Sequence, residues 1–188
     1  MNLKITFNGT GTSQGVPVIS CTCLVCNSKD PRDRRLRTSI LIEDHQTSVC
    51  IDAGPDFRQQ MLKVHQKRLD AIVLTHEHKD HLAGLDDVRA FNYTMGQSMP
   101  VFAHQRVIEA LRREFSYVFE NPNYPGLPQF ELMPINNRPF KIGSLDLLPI
   151  PVLHADLPVM GFRINDFVYI TDQAYTKEEI LDMEKDML

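Results

Sequence analysis

The chain has 188 residues, of which 43% are hydrophobic and 23% are charged, and its formal net charge at pH 7 is -4. This length suits one domain with a sizeable core, which excludes a disordered tail and a disulfide-stabilised miniprotein. The negative charge excludes broad electrostatic binding of nucleic acid, and no apolar run approaches the ~20 residues that span a bilayer. With no signal peptide visible, we expect a cytoplasmic protein without membrane contact.

The first half of the chain has the apolar, β-branched runs that are typical of strands, each ending in turn residues. Asp56 is predicted to cap a helix that continues to about Lys67, with its apolar residues at helical spacing. The predicted strands are Leu3–Phe7, Thr38–Ile42, Ser48–Asp52 and Leu69–Leu74.

The second half is predicted to begin with two helical stretches, about Asp80–Asn92 and Gln105–Phe119, on either side of the short strand Val101–Ala103. A charged helix is expected from about Lys177. Because hairpins outnumber crossovers, this order favours one α/β sandwich domain over residues 1–188, not a doubly wound fold. The strands predicted between these helices are Phe130–Met133, Phe140–Ile142, Leu145–Ile150, Met160–Ile164 and Phe167–Thr171.

The segment Thr75–His81 carries the strongest chemical signal, because four potential metal ligands lie within six residues behind an apolar strand. In extended backbone, His76 and His78 point the same way and can converge on one ion. Asp80 and His81 follow at the start of a helix, where they can face a second ion. A surface loop that is merely polar is the alternative. The zinc-protease helix motif His-Glu-x-x-His is excluded, because residue 80 is aspartate.

These residues resemble the signature His-x-His-x-Asp-His of the metallo-β-lactamase fold hydrolases. The resemblance continues along the chain. Within this family, the chain resembles the branch that contains the phosphoribosyl cyclic phosphodiesterase of carbon-phosphorus lyase pathways. It implies a four-layer αβ/βα sandwich, here C-terminally incomplete, with a dinuclear site between two sheets. The further segments that carry the resemblance are Asn8–Pro17, Cys21–Cys26, Ile51–Arg58 and Gly84–Arg89.

The resemblance also implies a ligand set. His76, His78 and His154 would bind one divalent metal, Asp80 and His81 a second, and Asp172 would bridge the two. Asp80 and His81 are therefore the candidate catalytic residues as well. The metals are expected to be zinc, manganese or iron, and such a pair of ions activates water for attack on a phosphodiester. Asp52 and Asp56 are expected to support the histidine loop or contact substrate.

Three cysteines, Cys21, Cys23 and Cys26, are spaced closely enough to share one ion, one ligand short of a closed tetrahedral zinc site. The resembling branch completes a structural zinc here with a distant C-terminal histidine, whereas the last histidine of this chain is His154. We expect a structural zinc at this cluster. The alternative is a set of small reduced core cysteines, which is the favoured interpretation for Cys50.

The family pattern continues beyond Asp172 through a helix-strand-helix region with further ligands that this chain lacks. We expect a fragment of a longer protein; completion by a partner chain and lost catalysis are the alternatives. The leading function is a metal-dependent phosphodiesterase acting on a cyclic phosphate or small phosphodiester, with a homodimer as the expected protein partner. A thioester or lactam hydrolase on the same fold and a non-catalytic metal-binding or assembly module remain open.

Overall fold

The structure, a computed structural model, describes residues 2–120 and 124–174, so the helix predicted from Lys177 lies outside the described residues. The strands are β1 (Lys4–Gly9), β2 (Ser39–Glu43), β3 (Ser48–Ile51), β4 (Ala71–Val73), β5 (Met99–His104), β6 (Phe130–Ile135), β7 (Phe140–Ile142), β8 (Leu145–His154), β9 (Leu157–Ile164) and β10 (Phe167–Tyr169). The α-helices are α1 (Phe57–Lys63), α2 (Lys79–Leu82), α3 (Arg89–Met95), α4 (Gln105–Glu114) and α5 (Ser116–Glu120), and 3-10 turns lie at Pro31–Asp33 and Leu85–Val88.

The strands form two sheets. The first has six strands in the order β1 to β6, antiparallel from β1 to β3 and parallel from β3 to β6. Parallel neighbours need crossover connections, and the helices α1 to α5 lie within those three crossovers. The second sheet has the order β10-β9-β8-β7 and is antiparallel throughout. The predicted α/β class, rich in hairpins, is confirmed.

The strands β2, β3 and β4 are buried on both faces, which explains why their sequences are continuous apolar runs instead of alternating ones. One face of the six-stranded sheet packs against the helices, through residues such as Leu41, Cys50 and Phe57. The other face packs against the four-stranded sheet, through residues such as Ile40, Val73 and Phe162. Within residues 2–120 and 124–174, helices therefore cover the six-stranded sheet alone.

Several predicted elements have different ends in the structure. The helix expected to reach Lys67 ends at Lys63, and His65 then takes a left-handed φ of 55°. The stretch expected to be helical over Asp80–Asn92 is interrupted at Ala83 and Gly84. The stretch expected to be helical over Gln105–Phe119 is interrupted at Phe115, whose backbone is not helical and which separates α4 from α5. The prolines of β8 do not stop that strand, which continues to His154.

Candidate metal centre

The histidine-rich segment is the loop that joins β4 to α2, at the carboxyl end of β4. His76 is fully buried, whereas His78 is exposed. His76 Nε2 lies 3.0 Å from His78 Nδ1 and 3.8 Å from Asp172 Oδ2. A first group of side chains that could bind one metal ion therefore consists of His76, His78 and Asp172. Asp172 comes from the other sheet, where it follows β10.

A second donor group consists of Asp80, His81 and Asp172, so that Asp172 belongs to both groups. The Nε2 atom of the fully buried His81 lies 3.3 Å from Asp80 Oδ2 and 3.4 Å from Asp172 Oδ2. Asp172 has a φ of 54°, and Asp52, on the opposite side of His81, has a φ of 63°. Left-handed backbone is uncommon for residues other than glycine, and where it occurs it clusters at active sites and ligand clamps.

The spacing of these donors fits divalent metal ions. Ligands that bind an ion tetrahedrally at ~2 Å lie about 3.3 Å from one another. The four donor distances given above run from 3.0 to 3.8 Å, and all donor atoms of each group lie within 4.8 Å of one another. Within the described part of the chain, His81 Nε2 is buried and makes no hydrogen bond of acceptable geometry. A buried polar atom without a partner costs about 1–3 kcal/mol, and an ion bound at this nitrogen would remove that cost.

Asp52 and Thr75 hold the two buried histidines from the side opposite the donor groups. Asp52 Oδ2 lies 2.8 Å from His81 Nδ1 and accepts the Thr75 hydroxyl at 2.9 Å, while Thr75 Oγ1 lies 3.0 Å from His76 Nδ1. A carboxylate only accepts hydrogen bonds, so the hydroxyl proton points to Asp52 and the hydroxyl oxygen accepts from His76 Nδ1. Both rings are therefore oriented with Nε2 toward the donor groups.

Sequence reasoning singled out Asp52 and missed Thr75. The structure brings Asp52 into contact with His81, at the location expected for a residue that supports the histidine loop. Thr75 also donates its backbone N–H to Asp52 Oδ1, at 2.9 Å. The available signal was a hydroxyl residue directly before the first motif histidine at a strand end, where it can reach that ring.

Asp56 lies elsewhere. Its carboxylate accepts the Arg37 backbone N–H at 2.8 Å and pairs with the Arg37 guanidinium at 3.0 Å. Its side chain makes no cap hydrogen bond with α1, and its hydrogen bonds among residues 2–120 and 124–174 all go to Arg37. Asp56 therefore stands at the predicted start of α1 without a side-chain cap, and no hydrogen bond of the described residues joins it to the histidine loop; its expected contact with substrate stays a prediction. Asp56 instead joins the segment before β2 to the start of α1.

His154 lies at the edge of the cluster. It ends β8, and its ring centroid is 5.5 Å from that of His78 and 6.1 Å from that of His76. Its Nδ1 atom is buried and has no hydrogen-bond partner among residues 2–120 and 124–174. The structure thus brings His154 beside the His76–His78 pair, but neither donor group includes it.

Two glycines allow the histidine loop to pack directly on the turn that follows β3. A Cβ atom on Gly54 would lie 1.8 Å from the Asp80 carbonyl oxygen, and one on Gly84 would lie 1.9 Å from the Gly54 carbonyl oxygen. The Ala53 N–H donates to the His81 carbonyl at 2.7 Å, and the Gly84 N–H to the Ala53 carbonyl at 2.9 Å. This backbone contact fixes where Asp80 and His81 begin their helix.

Burial and charge set the two buried histidines apart. Burial, with the charge of His81 nearby, lowers the pKa of His76 to about 4, so its ring is neutral at pH 7. Burial alone would lower the pKa of His81, but the carboxylates of Asp52 and Asp172 outweigh it and raise that pKa to about 10. The contact with His81 holds the pKa of Asp172 well below its usual range. A metal binding at His81 therefore displaces a proton.

The three clustered cysteines form a separate donor group, with all three Sγ atoms within 4.8 Å of one another. They are free thiols. The backbone N–H of Cys26 donates to Cys23 Sγ at 3.4 Å and is the main cause that lowers the pKa of Cys23 to about 7. Cys50 is fully buried instead, and burial raises its pKa to about 12.

Comparison with known proteins begins with a family model. The model of the beta-lactamase superfamily domain matches residues 47–186. A crystal structure of a diphosphatase from the PhnP family has a TM-score of 0.85 and 36% sequence identity, over 97% of this chain and 70% of that chain. The zinc-bound PqqB of Methylobacterium extorquens has a TM-score of 0.69 at 19% identity, over 95% of this chain and 68% of that chain, and is a likeness of fold.

Two curated relatives are longer than the matched region. An octanoyltransferase from Porphyromonas gingivalis is 42% identical over 179 residues, which are 94% of this chain and 36% of that protein. Coenzyme PQQ synthesis protein B from Xanthomonas oryzae is 28% identical over 164 residues, which are 80% of this chain and 52% of that protein. The chain therefore spans about a third to a half of these relatives. Its described helices include none that is long and apolar enough to cross a membrane.

Proposed function

The chain belongs to the metallo-β-lactamase superfamily, as its motifs predict, and on that premise we propose that it is a metal-dependent phosphodiesterase acting on a cyclic phosphate or another small phosphodiester. The observation that carries the proposal is the pair of donor groups that share Asp172. A shared carboxylate suits two ions side by side. When bound, two such ions lower the pKa of water and offset the charge on phosphoryl oxygens.

The chain's own residues divide the ligand positions. His76, His78 and His154 would hold one ion and Asp80 with His81 the other, with Asp172 between them. Imidazole and carboxylate donors suit zinc, manganese and iron. Asp52 and Thr75 hold the buried rings at Nδ1, and so turn Nε2 of each ring toward the donor groups. His78 is exposed and Asp80 and Asp172 are partly exposed, so solvent reaches this side of the donor groups.

The similarity to a PhnP-family diphosphatase supports chemistry at phosphorus. Cleavage of a diphosphate and cleavage of a phosphodiester both break a phosphorus–oxygen bond by attack of water, and both develop negative charge on the leaving oxygen. Offsetting that charge is the main contribution that a preorganised site makes to such reactions. We also propose that residues 1–188 form a single domain and that the protein acts in the reducing cytoplasm.

Hydrolysis of bis(4-nitrophenyl) phosphate, after loading with zinc or with manganese, tests this function. We expect turnover by the wild-type chain and a loss of at least about a hundredfold in His76→Ala, because the variant lacks a buried ligand. His45→Ala is the matched control, since His45 is exposed in a turn away from the cluster. Equal rates in all three proteins, or no hydrolysis of any diester by metal-loaded protein, would contradict the proposal.

Thioester hydrolysis is the second candidate, and the similarity to an octanoyltransferase favours testing it. Acyl transfer and thioester hydrolysis both proceed by attack on an acyl carbonyl. The match covers 36% of that protein, so the activity in its name belongs to a longer chain. A kcat/KM higher for an octanoyl thioester than for phosphodiesters would select this candidate. Tight metal binding without either activity would select a non-catalytic metal-binding module.

The cysteine cluster is proposed to hold a structural zinc, separate from the cleft. Three convergent thiols, one of them with a lowered pKa, favour metal binding because the thiolate is the ligand form. A fourth ligand would have to come from outside the trio. Association into a homodimer is a further part of the proposal, and light scattering on the purified chain measures it.

A further inference from the structure

Arg106 makes two contacts that join separate parts of the fold. It lies in the first turn of α4, at the end of β5. Its Nη1 atom lies 3.1 Å from Glu77 Oε1, and its Nη2 donates a hydrogen bond to the Pro158 carbonyl oxygen. A guanidinium suits this arrangement, because its planar fork can bind two acceptors at fixed angles and a lysine ammonium cannot reproduce it.

The two partners of Arg106 belong to the two halves of the candidate metal centre. Glu77 stands between His76 and His78 in the loop of the six-stranded sheet. Pro158 lies in β9 and pairs with Leu153, directly beside the pair of His154 and Leu157 at the end of the β8–β9 hairpin. The guanidinium therefore connects the loop that carries two candidate ligands with the hairpin that carries a third.

A backbone hydrogen bond runs along the same contact. The Met160 N–H donates to the Thr75 carbonyl oxygen at 3.1 Å, so that β9 meets the histidine loop just before His76. This bond reports whether the hairpin is docked.

Arg106 is the cation that contacts the Glu77 carboxylate. The Glu77 side chain is 22% exposed, and its second oxygen, Oε2, is buried with no hydrogen-bond partner among the described residues. Without Arg106, a largely buried carboxylate would have no cation against it. The loop would then favour a position in which Glu77 reaches water, away from the hairpin.

We propose that Arg106 is a positioning residue that docks the β8–β9 hairpin, and with it His154, onto the His76–His78 loop. The role in metal binding rests on the proposed function, in which these three histidines serve one ion. Docking of the hairpin itself does not depend on that function, and it can be measured in metal-free protein.

Amide hydrogen exchange at Met160, followed by NMR in metal-free protein, tests the docking. Arg106→Met keeps most of the aliphatic stem and removes both contacts, and we expect exchange about three- to tenfold faster. Arg106→Lys retains one charge without the fork and should give an intermediate rate. Arg113→Met, an exposed position on the same helix, is the matched control. Unchanged Met160 exchange in folded Arg106→Met would overturn the proposal.

Zinc titration of the same four proteins tests the consequence for the centre. We expect about tenfold weaker binding at the cleft in Arg106→Met, an intermediate loss in Arg106→Lys and no change in Arg113→Met. Faster exchange with unaltered zinc affinity would overturn the link to His154. If the wild-type cleft binds no zinc and, in a parallel titration, no manganese, the proposed function fails, while the exchange rates still decide whether Arg106 docks the hairpin.

Discussion

Asp52→Asn changes the one buried carboxylate that orients both buried histidines. Asparagine can still accept the Thr75 backbone N–H, but its amide presents donors where His81 Nδ1 and the Thr75 hydroxyl need an acceptor. Asp52 and His81 are both fully buried, so solvent does not screen the loss. A charge-assisted hydrogen bond contributes about 1.5–3 kcal/mol, and losing one partner of a buried pair costs about 3–5 kcal/mol. We expect the free energy of unfolding to fall by about 3 kcal/mol in Asp52→Asn.

Urea unfolding of the metal-free protein measures this loss. With an m-value of about 2 kcal/mol/M, the midpoint should fall by about 1.5 M at unchanged m. The variant should also bind less zinc in the cleft, because the His81 ring loses the carboxylate that orients its Nε2 toward the donor groups. The control is Asp56→Asn, whose partner Arg37 is 27% exposed; we expect about 1 kcal/mol and unaltered zinc binding. A wild-type midpoint and wild-type zinc affinity in Asp52→Asn would refute the role of Asp52 in orienting His81.

Two further predictions concern the glycine contact and the thiols. Gly84→Ala would set a Cβ 1.9 Å from the Gly54 carbonyl oxygen, so we expect at least about 2 kcal/mol of destabilisation and loss of hydrolysis. The control is Gly96→Ala, whose added Cβ meets open space and has only a φ of 67° to adopt, so we expect the free energy of unfolding to fall by about 1 kcal/mol. Equal thermal-unfolding midpoints for the two variants would contradict this prediction. At pH 7.5 the solution is above the Cys23 pKa of about 7 and far below the Cys50 pKa of about 12. Alkylation of the metal-free protein should therefore modify Cys23 and spare Cys50 until the chain unfolds. Added zinc should protect the clustered thiols from alkylation. Rapid native modification of Cys50, mapped by peptide mass, would be the contrary result.

Sequence reasoning succeeded where the determining interactions are local. The strands β2, β3 and β4 are apolar runs bounded by turn residues, and burial on both faces requires that composition. The motif from His76 to His81 could be recognised because its ligands are contiguous and a strand end presents them together. Asp172 could be named because the family pattern marks it, whereas its spacing carried no signal of its own.

The errors share one physical cause, which is a partner far away in the chain. Asp56 lies one residue before a helix and has the residue type of a cap, yet Arg37 offers it both a backbone N–H and a guanidinium. The helix expected over Asp80–Asn92 is interrupted where Gly84 packs on Gly54. Thr75 was missed because its role depends on Asp52, which follows the neighbouring parallel strand β3 at the same edge of the sheet. Local propensity gives way to tertiary contact in each case.

The candidate centre is divided between the two sheets, and this division couples metal binding to their packing. The histidine loop belongs to the six-stranded sheet, whereas His154 ends β8 and Asp172 follows β10 of the other sheet. The core between the sheets, with Ile40 and Phe162 fully buried, fixes the separation of the two ligand sets. An ion that binds only when the two sheets are packed together stabilises that packing by mass action. A change that weakens the packing between the sheets therefore also weakens metal binding. A contact such as that of Arg106, far from any ligand atom in sequence, can therefore act on the centre through the same linkage.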